Sequence, residues 1–220
     1  MVPQDTVQHL STTAKLLPKL PGAFEKTIFS GRSRTLPESI FIHAMHPKTE
    51  IKPHATTIQK ILDAGWVGQL KIHGHRAQIH IPADPLLEPY AFNRQGRIHK
   101  KLLPKPVISE LRRLFTPKRQ WNVIDAEWLK PNDKLYVFDL LKLDGETLVR
   151  LNYAERWSLL PRSFISPSIS VLPILTSLKQ CLEALENPEP NIEGLVFKSQ
   201  SSPGFEDTSI VRCRRLVSRP

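Results

Sequence analysis

Residues 69–81, Gln-Leu-Lys-Ile-His-Gly-His-Arg-Ala-Gln-Ile-His-Ile, alternate apolar and polar side chains in two runs broken at Gly74. Leu70 and Ile72 share one side of the first run, with Lys71 and His73 on the other. Ala77, Ile79 and Ile81 repeat the pattern in the second. Two strands are therefore expected, with Gly74-His75 as the tight turn of a hairpin. Lys71 sits on the polar face, where a regular element fixes its direction.

Outward from this core the pattern keeps switching between periods. Ala55–Gly65 reads as a helix, with Thr56 or Thr57 as N-cap and Gly65 as its stop. Pro106 followed by VISELRRLF places Ile108, Leu111, Leu114 and Phe115 on one face of a short amphipathic helix. Strands are expected at Val123–Leu129 and Leu135–Leu141, and a helix capped by Asn152 follows. Residues 163–176 are rich in Pro and Ser and read as irregular. A helix at Leu178–Leu185 and strands at Glu193–Ser199 and Ser209–Leu216 close the chain. Mixed strands and helices without long parallel crossovers indicate an α+β domain over residues 41–220, with residues 1–40 as a basic N-terminal arm or appendage.

The chain has 220 residues, 40% of them hydrophobic, enough for a sizeable core. Its net charge of +10 is uneven: residues 1–120 hold 19 Lys/Arg against 8 Asp/Glu, and residues 121–220 hold 12 against 13. Such an excess suits a protein that meets a polyanion. Cys181 and Cys213 are the only cysteines, so neither a disulfide framework nor a cysteine zinc site is available. The N-terminus lacks the apolar stretch of a signal peptide, and no run approaches a membrane span. A soluble cytoplasmic monomer without membrane contact is expected.

Several segments carry candidate chemistry. Lysine becomes a nucleophile when burial or nearby cations lower its pKa, and Lys71 has Arg76 close by, with Lys198, Arg212 and Arg214 available if the strands converge. Alone, KIHGHR is more often a surface strand. Phe92-Asn93-Arg94-Gln95-Gly96 is equally a plain loop. In Val123–Trp128, Asp125 and Glu127 share a face and need a partner if buried: a ribose hydroxyl, a lysine or Mg²⁺. Phe138 is a core residue or a platform for a purine. Glu193 and Lys198 are five apart and would face opposite ways unless Gly194 bends the strand. Arg212 and Arg214 share a face, which favours an anion between them. Among the histidines, His43, His46 and His54 lack metal-site spacing.

Taken together and in this order, KIHGHR, FNRQG, IDAEWL, YVFDLLKLDG, EGLVFK and VRCR resemble the covalent nucleotidyltransferase superfamily of ATP-dependent DNA ligases, RNA ligases and capping enzymes. The resemblance spans about residues 41–216 and is nearest to the adenylation domain of an ATP-dependent DNA ligase. It implies a nucleotidyltransferase (ATP-grasp-like) fold of antiparallel sheets flanked by helices. It also implies ATP and Mg²⁺ as cofactors, and nicked or broken nucleic acid, DNA ahead of RNA, as partner. Lys71 would form lysyl-AMP. Arg76 and Arg94 would meet ribose, phosphate or a polynucleotide end, Glu127 the ribose or metal, and Phe138 the adenine. Glu193 would be the metal-linked glutamate and Lys198 would reach the α-phosphate. Arg212 and Arg214 fall where the family has a Lys-x-Lys pair.

Three features depart from the family pattern. His73 stands where DNA ligases have Asp, a form shared with some RNA ligases. Arginines replace lysines in the last motif, with a wider planar reach. With the sequence running to Pro220, an adenylation domain without the family's C-terminal OB domain is expected. An RNA ligase and a catalytically degenerate nucleic-acid-binding module therefore stand as alternatives. For a polynucleotide, residues 94–119 hold nine basic residues against one acid, and Arg97, Lys100, Lys101, Arg112 and Arg113 are the expected phosphate contacts.

Overall fold

The computed structural model describes residues 40–161, 164–187, 189–201 and 209–215. The proposed arm, residues 1–40, lies outside them but for its last residue. In chain order the elements are β1 (Thr49–Ile51), α1 (Ala55–Asp63), β2 (Trp66–Ile72), β3 (His75–Pro82), β4 (Tyr90–Phe92), α2 (Lys105–Phe115), β5 (Trp121–Leu129) and β6 (Lys134–Leu143). They continue with β7 (Glu146–Thr147), α3 (Tyr153–Ser158), β8 (Ile169–Val171), α4 (Leu178–Glu186), β9 (Ile192–Ser199) and β10 (Ile210–Arg214). No helix among the described residues is long and apolar enough to cross a membrane.

The strands form two sheets, in the orders β1-β10-β9-β2 and β4-β3-β5-β6-β7, with β8 parallel to β6. All other pairings but β1–β10 are antiparallel, so the expected α+β class with antiparallel sheets flanked by helices is what the chain adopts. Each sheet packs one face on helices. Ala77, Ile79, Ile81, Ile124, Ala126 and Trp128 of the second sheet pack with Val107, Leu111 and Phe115 of α2. Leu195, Phe197 and Cys213 of the first pack with Ile58 of α1 and Cys181 and Ala184 of α4.

The expected hairpin is not present. β2 pairs with β9 and β3 with β5, so the chain crosses from one sheet to the other at His73-Gly74. A side chain at Gly74 would put its Cβ 2.9 Å from the Trp128 carbonyl oxygen and 3.0 Å from Glu127 Cγ. Gly74 thus serves close approach to β5, where the sequence reading had placed a turn. Alternation identifies a strand but not its neighbour, which is why the two readings part here.

Two irregularities re-aim side chains. In β9 the register runs Lys71↔Gly194 and then Ile72↔Ile192, leaving Glu193 as an extra residue. Gly194 has φ +146°, and a Cβ there would lie 2.2 Å from the Cys213 carbonyl oxygen. The extra residue reverses the parity, so Glu193 and Lys198 share the face that carries Gln69 and Lys71. In β6, Asp125↔Asp139 is followed by Ala126↔Val137, which leaves Phe138 as the extra residue. Adjacent residues Phe138 and Asp139 can then serve the same side.

Smaller expectations shift. The N-cap of α1 is His54 rather than Thr56 or Thr57, and its carbonyl accepts from Thr57 and Ile58. Val107 joins Leu111 and Phe115 at the buried centre of α2, with Ile108 and Leu114 at the margin. The stretch read as irregular contains β8. Asn152 does cap α3, in a reciprocal capping box with Glu155.

Gly194→Ala is expected to destabilise the protein by about 2–4 kcal/mol, through backbone strain and overlap with β10. A lowered urea midpoint at unchanged slope is the expected result; an unmoved midpoint would mean that β9 does not need its glycine bulge.

Candidate active site

The uncovered faces of the two sheets meet in a cleft of about 390 Å³, open mouth included. Arg76, Asp125, Phe138, Asp139, Tyr153 and Arg156 line one side, Lys198, Ser199 and Ile210 the other, and Ala44 and Met45 form an end wall. Direct register partners on β3, β5 and β6 explain the first set, because Arg76 stands opposite Glu127 and Asp125 opposite Asp139.

Arg76 is the central group. Its Nε lies 3.0 and 3.2 Å from the two carboxylate oxygens of Asp125, and a terminal nitrogen also donates to Asp125. The other terminal nitrogen donates to the Met45 carbonyl at 2.6 Å. The guanidinium is 5.8 Å from the centre of the Phe138 ring. Two residues along β3, Gln78 clamps the backbone of Ile42, donating to its carbonyl at 2.7 Å and accepting from its N–H at 2.8 Å. The end wall is therefore pinned to β3 at two points.

A second buried pair closes the floor. Arg156 from α3 donates Nε and a terminal nitrogen to the two oxygens of Asp139, each at 3.0 Å, and also reaches the Leu151 carbonyl at 2.7 Å. The Tyr153 hydroxyl donates to the Phe138 carbonyl at 3.1 Å. Lys198 enters from the opposite sheet. Its ammonium donates to Gln69 Oε1 at 2.8 Å and lies 4.7 and 4.3 Å from the ring centres of Phe138 and Tyr153. Among the described residues it has no carboxylate at ion-pair distance. Burial lowers its pKa to about 8, only partly opposed by Asp139 and Asp125.

Lys71 stands at the edge of this cleft, on the β2 face that carries Gln69, with about a fifth of its side chain exposed. It is ion-paired with one oxygen of Glu193, whose other oxygen meets Nδ1 of the exposed His73. Burial pushes the Glu193 carboxyl up, but the bonds from Lys71 and His73 outweigh it and hold the group below the usual range. Glu127 is half-buried nearby. Burial raises its pKa to about 7, with Lys71 and Arg76 pulling down and Asp125 and Glu193 pushing up.

Of the expected site residues, Arg76, Phe138 and Lys198 line the cleft, and Lys71, Glu127 and Glu193 form a cluster beside Arg76, outside the lining itself. Arg212 and Arg214 share a face as expected, but Glu50 of β1 already answers them, 2.9 and 3.6 Å away, and they are not in the cleft lining. Arg94 is exposed in the Asn93–Gly96 turn. Asp125 takes Arg76 as its partner, an option absent from those read in the sequence. The Asp139–Arg156 pair, Tyr153 and Gln69 went unread. Gln69 alone had a visible signal, its position two residues before Lys71 on the same face.

The basic segment divides. Arg112, an expected phosphate contact, holds a structural position: its guanidinium donates to the carbonyls of Pro82, Asp84 and Leu87. Arg113 pairs with Glu110 at 3.0 Å and lies over Phe164. Lys101 pairs with Asp133, while Arg97 and Lys100 are exposed. Among the described residues, no three His, Cys, Asp or Glu side chains gather as a metal cluster. Glu127 and Glu193 nonetheless fit a hard cation that takes one or two carboxylates and draws its other ligands from phosphates, because two acids crowd a half-buried space.

No family model and no curated protein sequence matches the chain. Solved structures do. Mycobacterial DNA ligase D complexed with ATP and MES matches at TM-score 0.48 and 20% identity, over 68% of this chain and 54% of that one. The ligase domain of LigD from M. tuberculosis matches at 0.47 and 19%, over 77% and 58%. A structure from work on Lig E DNA ligases and DNA binding with a minimal scaffold matches at 0.46 and 15%, over 78% and 69%. The chain thus spans under two thirds of the length of the first two.

Two substitutions separate structural from other roles. Lys198→Met should stabilise the protein at pH 7, by on the order of 1–3 kcal/mol, by removing a buried cation. Between about pH 8 and the ordinary lysine value the unfolded chain binds the extra proton, so parent stability rises with pH there and the variant's advantage shrinks. Denaturation at pH 7 and pH 9.5 reads this out; an advantage that grows with pH would reverse the assignment. Arg112→Ala should cost about 1–3 kcal/mol by freeing the β3–β4 connection. A melting temperature equal to the parent's would return Arg112 to the candidate phosphate contacts.

Proposed function

We propose that the chain is an ATP-dependent polynucleotide ligase, acting on DNA and working through lysyl-AMP on Lys71. The observation that supports it most is the convergence of an amine, three further cations and an aromatic floor from β2, β3, β6, β9 and α3 on one cleft. Purine stacking on Phe138 and phosphate contact with Lys198 and Arg76 would orient a nucleotide with its α-phosphate toward Lys71. Arg94, Arg212 and Arg214 stand outside this set and would act only with a bound polynucleotide or after release from Glu50.

In the first step Lys71 Nζ gives up a proton to solvent. It then attacks the α-phosphorus; an N–P bond forms as the bond to the bridging oxygen breaks, and pyrophosphate leaves. AMP next passes to a 5′-phosphate, forming a P–O–P bond and restoring the amine. A 3′-hydroxyl then attacks that 5′-phosphorus, and AMP departs. Positioning and charge neutralisation carry these steps. Mg²⁺, held by Glu127 and Glu193 with phosphate oxygens, would supply further neutralisation when bound.

An RNA-joining activity is the second reading, favoured by His73 beside the nucleophile. Incubation with α-labelled ATP and Mg²⁺, followed by a denaturing gel, should label the parent and leave Lys71→Ala unlabelled. A label retained on the variant would move the nucleophile, with Lys198 next in line. No label on a folded, AMP-free parent would favour the degenerate binding module.

A further inference from the structure

We propose that a phosphodiester strand docks on a basic cluster at the Lys71 end of the cleft, formed by His75, Lys101 and Lys130 around Trp128 with the exposed Lys100 next to Lys101 in the chain. The inference rests on the polynucleotide reading above and names the surface that would hold the strand.

Three separate chain segments build this surface. His75 opens β3 and stands in register with Trp128 at the end of β5. Lys101 comes from the loop before α2, and Lys130 from the single 3₁₀ turn after β5. Their ammonium groups lie 5.7 and 5.5 Å from the centre of the Trp128 ring. Lys101 also donates to the Lys130 carbonyl at 2.8 Å, which ties the two segments together. His99 packs edge-on against the same indole, with ring centres 5.4 Å apart.

The charge balance is one-sided. Asp133, paired with Lys101, is the one acid in ion-pair contact with these four among the described residues. Burial lowers the pKa of both His75 and His99; at His99 the bond to the Arg76 carbonyl opposes it, and at both the charge of Lys130 lowers it further. A surface with surplus positive charge is short of acceptors, and phosphate oxygens supply both acceptor and charge.

Location decides the partner. His75 is two residues from His73, whose ring shares Glu193 with Lys71. Arg97 and Lys100, both exposed, lie on the loop that carries Lys101. A strand crossing this cluster would lie beside the proposed nucleophile, whereas the Arg112 half of the basic segment is committed to carbonyls.

The test is binding of a nicked duplex DNA bearing a 5′-phosphate, measured over a series of salt concentrations. Lys100→Ala combined with Lys130→Ala should weaken binding about tenfold or more at low salt and reduce the log–log salt slope by about 2, roughly one per lost phosphate contact. Lys60→Ala combined with Lys179→Ala, which removes the same charge from α1 and α4, should leave the slope unchanged. Equal slopes for the cluster variant and the parent would overturn the proposal. So would an equal fall in the control, which would assign binding to net charge. Thermal melts show that both variants fold, and labelling of the parent with ATP tests the ligase reading independently.

Discussion

Arg76 and Asp125 are paired where the two sheets face each other, and both line the cleft. Removing either partner would leave an isolated charge in a poorly hydrated space, a change that commonly costs about 3–5 kcal/mol. The pair also does geometric work at a distance. Because the free end of the Arg76 guanidinium holds the Met45 carbonyl, the end wall follows Arg76, and Gln78 repeats the grip at Ile42. Asp139 and Arg156 perform the same service for the floor. Lys198 is the exception: among the described residues it has no carboxylate of its own and leans on Gln69 and two aromatic faces.

Much of this was legible in the order of segments and in alternation. The six longer strands, the helices, the Asn152 cap and the joint face of Asp125 and Glu127 follow from local pattern, the short strands β1, β4, β7 and β8 escape it, and a bend at Gly194 is legible as a way to bring Glu193 and Lys198 together. What escaped depends on pairing. Lys71 and Arg76 lie in different sheets, and no local feature distinguishes a glycine that turns a hairpin from one that lets a backbone approach β5. The partner of a buried charge is equally invisible: Asp125 with Arg76, Asp139 with Arg156 and Glu50 with two arginines all join residues distant in sequence.

Charge counts alone treated residues 94–119 as one surface. The fold sorts those residues by what their donors already hold. Arg112 spends its guanidinium on three carbonyls, and Arg113 is satisfied by a neighbour one helical turn away and an aromatic face. Lys101 is drawn by Asp133 toward Trp128, where Lys130 and His75, outside the counted segment, meet it. A basic run thus becomes a staple at one end and a convergent patch at the other, which composition cannot distinguish.

Several departures from the local rules of stable folding cluster here. A bulge at Glu193, a second at Phe138, a buried lysine without an acid partner among the described residues and an amine facing two carboxylates all fall within the space between the two uncovered sheet faces. Away from it, the opposite faces are packed with Ile, Leu, Val, Ala and Phe against helices, and the polar caps of α3 and α4 are satisfied. Each irregularity costs stability when taken alone, since a bulge forfeits ladder bonds and a buried ammonium forfeits hydration. Each also turns a specific side chain toward the cleft: Glu193 toward Lys71, Phe138 toward the ring stack, Lys198 toward the floor. Costs that coincide in space and share one direction are what makes this cleft the candidate site on which the proposed function rests.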